Sequence, residues 1–168
     1  MTSEIKRNYL EINSLKELRE GSKPSKGYFL TINNPINFQL NKFFYKNIGK
    51  KHNWVDRLTW TEEKWISYVS AENLVTYVLK YKDDLVGFFE LISHKENKEI
   101  EIAYFGILEE YQNKKLGSYL LSEAIKESFV KKSIDRVWLH TCSLDHKNAL
   151  NNYLARGMKI FKTEIINI

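Results

Sequence analysis

Three runs rich in β-branched and aromatic residues, Leu74–Lys82, Leu85–His94 and Glu99–Leu108, follow one another with only Asp83-Asp84 and Lys95 to Lys98 between them. Connections this short join antiparallel neighbours, because a parallel pair needs a crossover of a dozen or more residues. The block therefore predicts a three-stranded meander. After it, Leu116, Leu120, Leu121, Ala124, Ile125 and Phe129 recur near a 3.6-residue period and predict one helix with a single buried face. A short strand over Arg136–Thr141 follows, then a helix carrying Ala149, Leu150, Tyr153 and Leu154, with Ser143 or Asp145 as N-cap and Gly157 just past its end. Lys159–Ile166 makes the last strand.

Ahead of the meander lie strand-like stretches at Tyr9–Ile12 and Tyr28–Asn33. A helix starts near Pro35 and closes at Gly49, and a second begins at Thr61-Glu62-Glu63 and carries Trp65, Tyr68 and Val69. The order is strand, helices, three antiparallel strands, helix, strand, helix, strand, which predicts a mixed α/β sheet in one domain over residues 1–168. A chain of 168 residues buries enough surface to need no covalent staple, and Cys142 is its only cysteine. There is no apolar leader and no apolar run near the roughly 18 residues a membrane span requires, so the expected setting is soluble and cytoplasmic, without a membrane partner.

Lys and Arg number 26 against 21 Asp and Glu, a formal +5 that favours anionic partners. The basic residues form only short pairs, at Lys50-Lys51, Lys114-Lys115 and Lys131-Lys132, with no Arg-rich arm, so nucleic acid is the weaker reading and a phosphorylated cofactor the better one.

The segment EIAYFGILEEYQNKKLGSYLL runs from strand through a polar loop directly into a helix. The first turn of a helix presents unpaired N–H groups and the positive end of the helix dipole, and Lys114 and Lys115 add full charges beside it. That arrangement suits a pyrophosphate.

Here the sequence resembles motif A of the GNAT superfamily of acyl-CoA-dependent N-acetyltransferases, R/Q-x-x-G-x-G/A at a strand-to-helix junction. Gln112 and Gly117 match, and Lys115 stands at the first glycine. The resemblance spans about residues 72–162. It implies a single-domain fold with a central, mostly antiparallel sheet, splayed between its fourth and fifth core strands and flanked by helices. It also implies acetyl-CoA as acyl donor and no metal, with Gln112, Asn113, Lys114, Lys115, Leu116, Gly117 and Ser118 around the diphosphate. Phe105, Gly106, Ile107 and Leu108 would pair with the pantetheine arm, and an oxyanion would meet the N–H of Phe105 or a neighbour. Gly106 is otherwise a packing glycine.

An amine with pKa near 10 is mostly protonated at neutral pH, so acyl transfer costs about 4 kcal/mol unless a base takes the proton. Uniform alternation would put Glu99, Glu101, Ala103, Phe105 and Ile107 on one strand face, which makes Glu101 the candidate base, at the spacing of the base glutamate in the histone acetyltransferases of this superfamily. The same residues could equally form a solvated strand face. Glu90, on the neighbouring strand, is the second candidate.

In NNYLARGM, Tyr153 resembles the family tyrosine that approaches the CoA sulfur, and His146 occupies the place of a CoA-contacting asparagine. His140 and Cys142 could share a strand face. A structural role is expected for both, with His140 kept as a base on the acceptor side. The aromatic and charged run that holds His52, Trp54, Asp56, Arg57 and Trp60 falls where such folds overhang the acceptor cleft, so it is expected to shape acceptor specificity. The expected reaction is acetyl transfer to the primary amine of a small molecule or peptide, by a monomer or homodimer. An acyl-CoA-binding module without turnover and a basic nucleic-acid-binding protein are the alternatives.

Overall fold

A computed structural model describes residues 4–131 and 133–167. Strands β1 (Glu4–Ile12), β2 (Tyr28–Ile32), β3 (Leu74–Tyr81), β4 (Asp84–His94), β5 (Glu99–Ile107), β6 (Arg136–Cys142) and β7 (Lys159–Asn167) join in one sheet of order β2-β3-β4-β5-β6-β1-β7. The meander is present as expected: β3, β4 and β5 are antiparallel neighbours. Helices α1 (Phe38–Gly49) and α2 (Glu62–Val69) precede it, and α3 (Leu116–Val130) and α4 (Ala149–Ala155) flank β6 in the chain.

Helix starts follow local chemistry. Asn37 caps α1 by accepting from the Gln39 N–H, so α1 begins after Pro35 rather than at it. Thr61 caps α2 by accepting from the Lys64 N–H, and Glu62 and Glu63 in the first turn suit the positive end of the dipole. The α4 cap position falls on Asn148, not on Ser143 or Asp145, because the Asp145 carboxylate is already engaged by the Cys142 N–H and the Thr141 hydroxyl. Gly157 does stand just past α4, at φ 103, where a side chain would meet the Glu17 carbonyl.

The two sheet faces are covered separately. Tyr77, Leu79, Phe89, Leu91 and Ile102 pack under α3 with Leu116, Leu120, Leu121 and Ile125. On the other face Val78 and Phe88 pack with Phe44 and Ile48 of α1, and Leu74 packs with Trp65 and Val69 of α2.

Two irregularities place the site. The parallel pairing of β5 with β6 lasts only for Glu99↔Arg136, Ile100↔Val137 and Glu101↔Trp138, after which the strands diverge. Leaving the short edge strand β2 aside, these are the fourth and fifth strands, where the splay was expected. The second irregularity is a bulge in β5: Glu90 faces Tyr104 and Leu91 faces Ile102, so Ala103 is an extra residue and the alternation shifts by one. Glu99 and Glu101 therefore share the α1 face with Tyr104 and Gly106, while Phe105 and Ile107 turn to the α3 face. The uniform alternation expected from sequence fails at this point.

Candidate active site

The divergence of β5 from β6 opens a cleft of about 540 Å³, within the size range of ligand sites. It passes through the sheet. Its walls include Ile48, His52, Trp54 and Asp56 from α1 and the following connection on one side, and Gly117, Ser118, Asn152 and Tyr153 from α3 and α4 on the other. Past the Glu101↔Trp138 rung no strand pairing joins β5 to β6, so this edge of β5 is available to a ligand.

The loop between β5 and α3 is shaped by two left-handed residues, Asn113 at φ 64 and Lys115 at φ 62. Lys115 adopts in a non-glycine residue the backbone state that glycine takes freely, which supplies the reason a glycine commonly stands at that point of the motif. Lys115 is also the N-cap of α3, and its side chain caps nothing. The Ser118 hydroxyl donates back to the Lys115 carbonyl at 2.9 Å, so it does not occupy the first-turn N–H groups either. A Cβ added at Gly117 would meet only Asn152 Nδ2, at 3.7 Å, so this backbone faces open space in the cleft. Gln112 fixes the loop by donating from Nε2 to the Ile107 carbonyl at 3.3 Å.

Of the residues expected around a cofactor, Phe105, Gly106, Ile107, Gln112, Asn113, Lys115, Leu116, Gly117, Ser118 and His146 line the cleft. Two do not. Lys114 turns to a separate groove beside Tyr28 and Asp84, its Nζ 5.2 Å from the Tyr111 ring centre. Leu108 is buried under α1, and its N–H donates to the Val86 carbonyl at 2.8 Å. Gly106 has a packing reason of its own, since a Cβ there would lie 2.7 Å from Ile48 Cγ2. The neighbour that requires the glycine is α1.

The acceptor-side expectations divide more sharply. Glu90 is 0% exposed and accepts from Asn41 Nδ2 at 2.8 Å, from both terminal nitrogens of Arg57 at 3.2 and 3.1 Å, and from the Tyr68 hydroxyl at 2.7 Å. Arg57, 6% exposed, is enclosed by aromatic rings, including Tyr68 at 4.1 Å and Tyr104 at 4.3 Å. Neither residue lines the cleft. Both were expected to touch an acceptor; instead they form a buried ion pair that ties the α1–α2 connection to β4.

Glu101 also stays off the cleft wall, its carboxylate 3.1 Å from His94 Nε2. It lies in the last paired rung, at the apex of the opening. His140, two residues past that rung on β6, does line the cleft. Its ring stays exposed in the cleft, yet partial loss of water between the walls, then the charge of Arg7, hold its pKa below the ordinary value, with Glu101 and Asp145 opposing. His52 is likewise lowered, by burial first. Its ring centre stands 5.8 Å from that of His146.

Tyr153 is buried on the cleft wall, edge-on to Phe105. Burial first, then Asp145, push its pKa well above the usual phenol value. Trp54 leans over Gly49 and Gly106 and donates from Nε1 toward Asp145 at 3.4 Å. Asp145 thus links the end of β6 to the α1–α2 connection, a role that its place in the sequence did not reveal. Arg7 and Asn152 are further wall residues that periodicity alone could not single out. His140, Cys142 and His146 all reach the cleft, yet among the described residues no group of three His, Cys, Asp or Glu is placed to hold a metal ion. No helix among the described residues is long and apolar enough to cross a membrane.

The model of the acetyltransferase (GNAT) family matches residues 36–158. Among solved structures, the chain is similar to a GCN5-related N-acetyltransferase from Sphaerobacter thermophilus, at 15% identity and TM-score 0.73, covering 97% of this chain and 50% of that one. It is similar also to a functionally unknown conserved protein from Staphylococcus epidermidis, at 19% identity and TM-score 0.68, covering 98% of this chain and 61% of that one. A third similar structure is an aminoglycoside acetyltransferase from an uncultured soil metagenomic sample, at 11% identity and TM-score 0.64, covering 79% of this chain and 88% of that one. The chain spans about half the length of the first of these and about three fifths of the second. At such identities the likeness is one of fold. No curated protein matches the sequence.

Proposed function

The chain belongs to the acetyltransferase (GNAT) family, and from that premise we propose that it transfers an acetyl group from acetyl-CoA to the primary amine of a small-molecule or peptide acceptor. The observation that carries the reading is the uncapped start of α3, with Lys115 in the left-handed state and Gly117 open to the cleft, set at the mouth of the β5–β6 opening. Free first-turn N–H groups and a helix dipole attract a diphosphate, and the bare backbone at Gly117 lets it approach. Asn113, Lys115, Leu116, Gly117 and Ser118 would hold that group, with Gln112 fixing the loop, while Phe105, Gly106 and Ile107 offer the unpaired β5 edge to an extended arm. Bound there, acetyl-CoA supplies an acyl group activated as a thioester.

The protein's own groups then handle protons. His140, whose pKa is held below the ordinary value, accepts the proton of the acceptor amine on the α1 face. Glu101, behind it at the apex, favours the protonated imidazole that results. On the α3 face Tyr153 keeps its O–H at neutral pH and offers it to the departing sulfur. His52 and Trp54 shape the acceptor mouth, and His146 is the candidate cofactor contact from the loop after β6.

Two measurements test this. Calorimetry with acetyl-CoA should show binding, and at a hundredfold excess over Kd the fold should gain about 2.7 kcal/mol. Release of free CoA should then follow addition of members of an amine panel. Absence of binding overturns the cofactor assignment. Binding without turnover on any amine leaves an acyl-CoA-binding module.

A further inference from the structure

Arg7 reaches from β1 into the acceptor side of the cleft and, among the described residues, has no ion-pair partner there. It stands opposite Cys142 on β6, on the sheet face shared with His140 and Glu101, and it lines the cleft wall. Among the described residues it forms no ion pair, and its Nε is buried with no hydrogen bond. The carboxylates around it are otherwise engaged. Glu164, opposite on β7, accepts from the Tyr9 hydroxyl at 3.0 Å and pairs with Lys162 at 2.8 Å. Asp145 accepts from the Cys142 N–H at 3.0 Å and from Thr141, and Glu101 is paired with His94. Arg57 and Arg136, by contrast, sit on their own glutamates. Arg136 and Arg156 share the orphaned Nε, but Arg136 is ion-paired and Arg156 lies away from the cleft.

A guanidinium fork matches a carboxylate through two parallel hydrogen bonds. On the opposite wall, in the connection after α1, Asp56 faces the same cleft. A cation on one wall and a carboxylate on the other complement a molecule that carries both charges. A polycation would instead meet Arg7 on the acceptor side and Lys115 at the far end.

We propose that the acceptor is of the amino-acid class, an amine with a neighbouring carboxylate, and that Arg7 holds that carboxylate while the amine faces His140. The inference rests on the acyl-transfer reading above and adds the acceptor's chemical class to it. Arg7 acts as a specificity residue that leaves donor binding untouched.

The test compares free amino acids with the amino amides of the same side chains, using acetyl-CoA as donor and CoA release as readout. The acids should exceed their amides in kcat/KM by about tenfold to a hundredfold, mostly through KM. Arg7→Gln should erase that gap while acetyl-CoA affinity by calorimetry stays within about twofold, which also reports an intact fold, and Arg7→Lys should restore part of it. Amides or polyamines that serve the wild type as well as acids overturn the proposal. So does a gap that survives in Arg7→Gln. A second readout needs no turnover: the Nε–H resonance of Arg7 in the 15N-labelled chain, titrated with N-acetyl amino acids and with N-acetyl amino amides. It should move with the acids alone, and equal response to both overturns the proposal whatever the activity. Failure to bind acetyl-CoA would instead overturn the donor assignment, which this resonance does not depend on.

Discussion

His140 binds its proton less readily in the folded chain than in the unfolded one, because partial desolvation between the cleft walls and then Arg7 disfavour the imidazolium. The unfolded chain therefore takes up more protons once the pH drops below about 6.5, and stability contributed by the neutral ring is lost on acidification, with His52 acting in the same direction. Activity should follow the same sign. The pH profile of kcat/KM should hold its value through neutrality and fall only below about 6.5. His140→Gln should lower kcat/KM on the order of a hundredfold and lose that acid limb. An unchanged acid limb in the variant would assign the proton to another group. Tyr153 is pushed the opposite way on its own scale, and stays a phenol at every pH where the histidines titrate. Tyr153→Phe should keep acetyl-CoA affinity and cut kcat on the order of a hundredfold, with a defect that shrinks when the donor thiol is more acidic. Equal kcat would return the residue to a packing role under α3.

At the scale of elements, the start of α3 and the tie between α1 and β4 can be separated by mutation. Gly117→Val should leave the fold intact, because the position opens onto the cleft, and should weaken acetyl-CoA binding at least tenfold by calorimetry. Glu90→Gln should do the reverse. It leaves the Arg57 guanidinium buried among rings without its carboxylate, and urea denaturation should show a loss of about 3 kcal/mol with donor affinity little changed. Most elements were legible from local chemistry: the meander from its short turns, α3 from its apolar period, the end of α4 from Gly157. Glu90 and Arg57 were misread because nothing local distinguishes a carboxylate that meets a substrate from one that meets an arginine thirty-odd residues away in the chain. The bulge at Ala103 was hidden for a related reason. An extra residue is defined by what the partner strand pairs with, here Glu90 and Leu91, and the run EIEIAYFGI alternates no differently for it. One shifted residue moved Glu101 off the face of Phe105 and Ile107. Lys114 and Lys115 make the same point in miniature, since adjacent lysines end in different grooves once Lys115 turns left-handed.

For the whole molecule, the family was readable from motif A, and the match over residues 36–158 bears it out. The cleft walls were readable only in part, because Arg7, Asp145 and Asn152 come from segments that meet only after folding. The gap between β5 and β6 has a kinetic consequence. Since its walls come from both faces of the sheet, with the α3 start on one and Arg7, His140 and Trp54 on the other, the proposed donor and acceptor would approach from opposite faces and neither would have to leave for the other to enter. Under the acyl-transfer proposal both would be resident at once, and the reaction should run through a ternary complex. Initial rates measured over a grid of the two concentrations should give double-reciprocal lines that intersect, whereas a parallel set would mean that the acyl group waits on the protein while the first product departs.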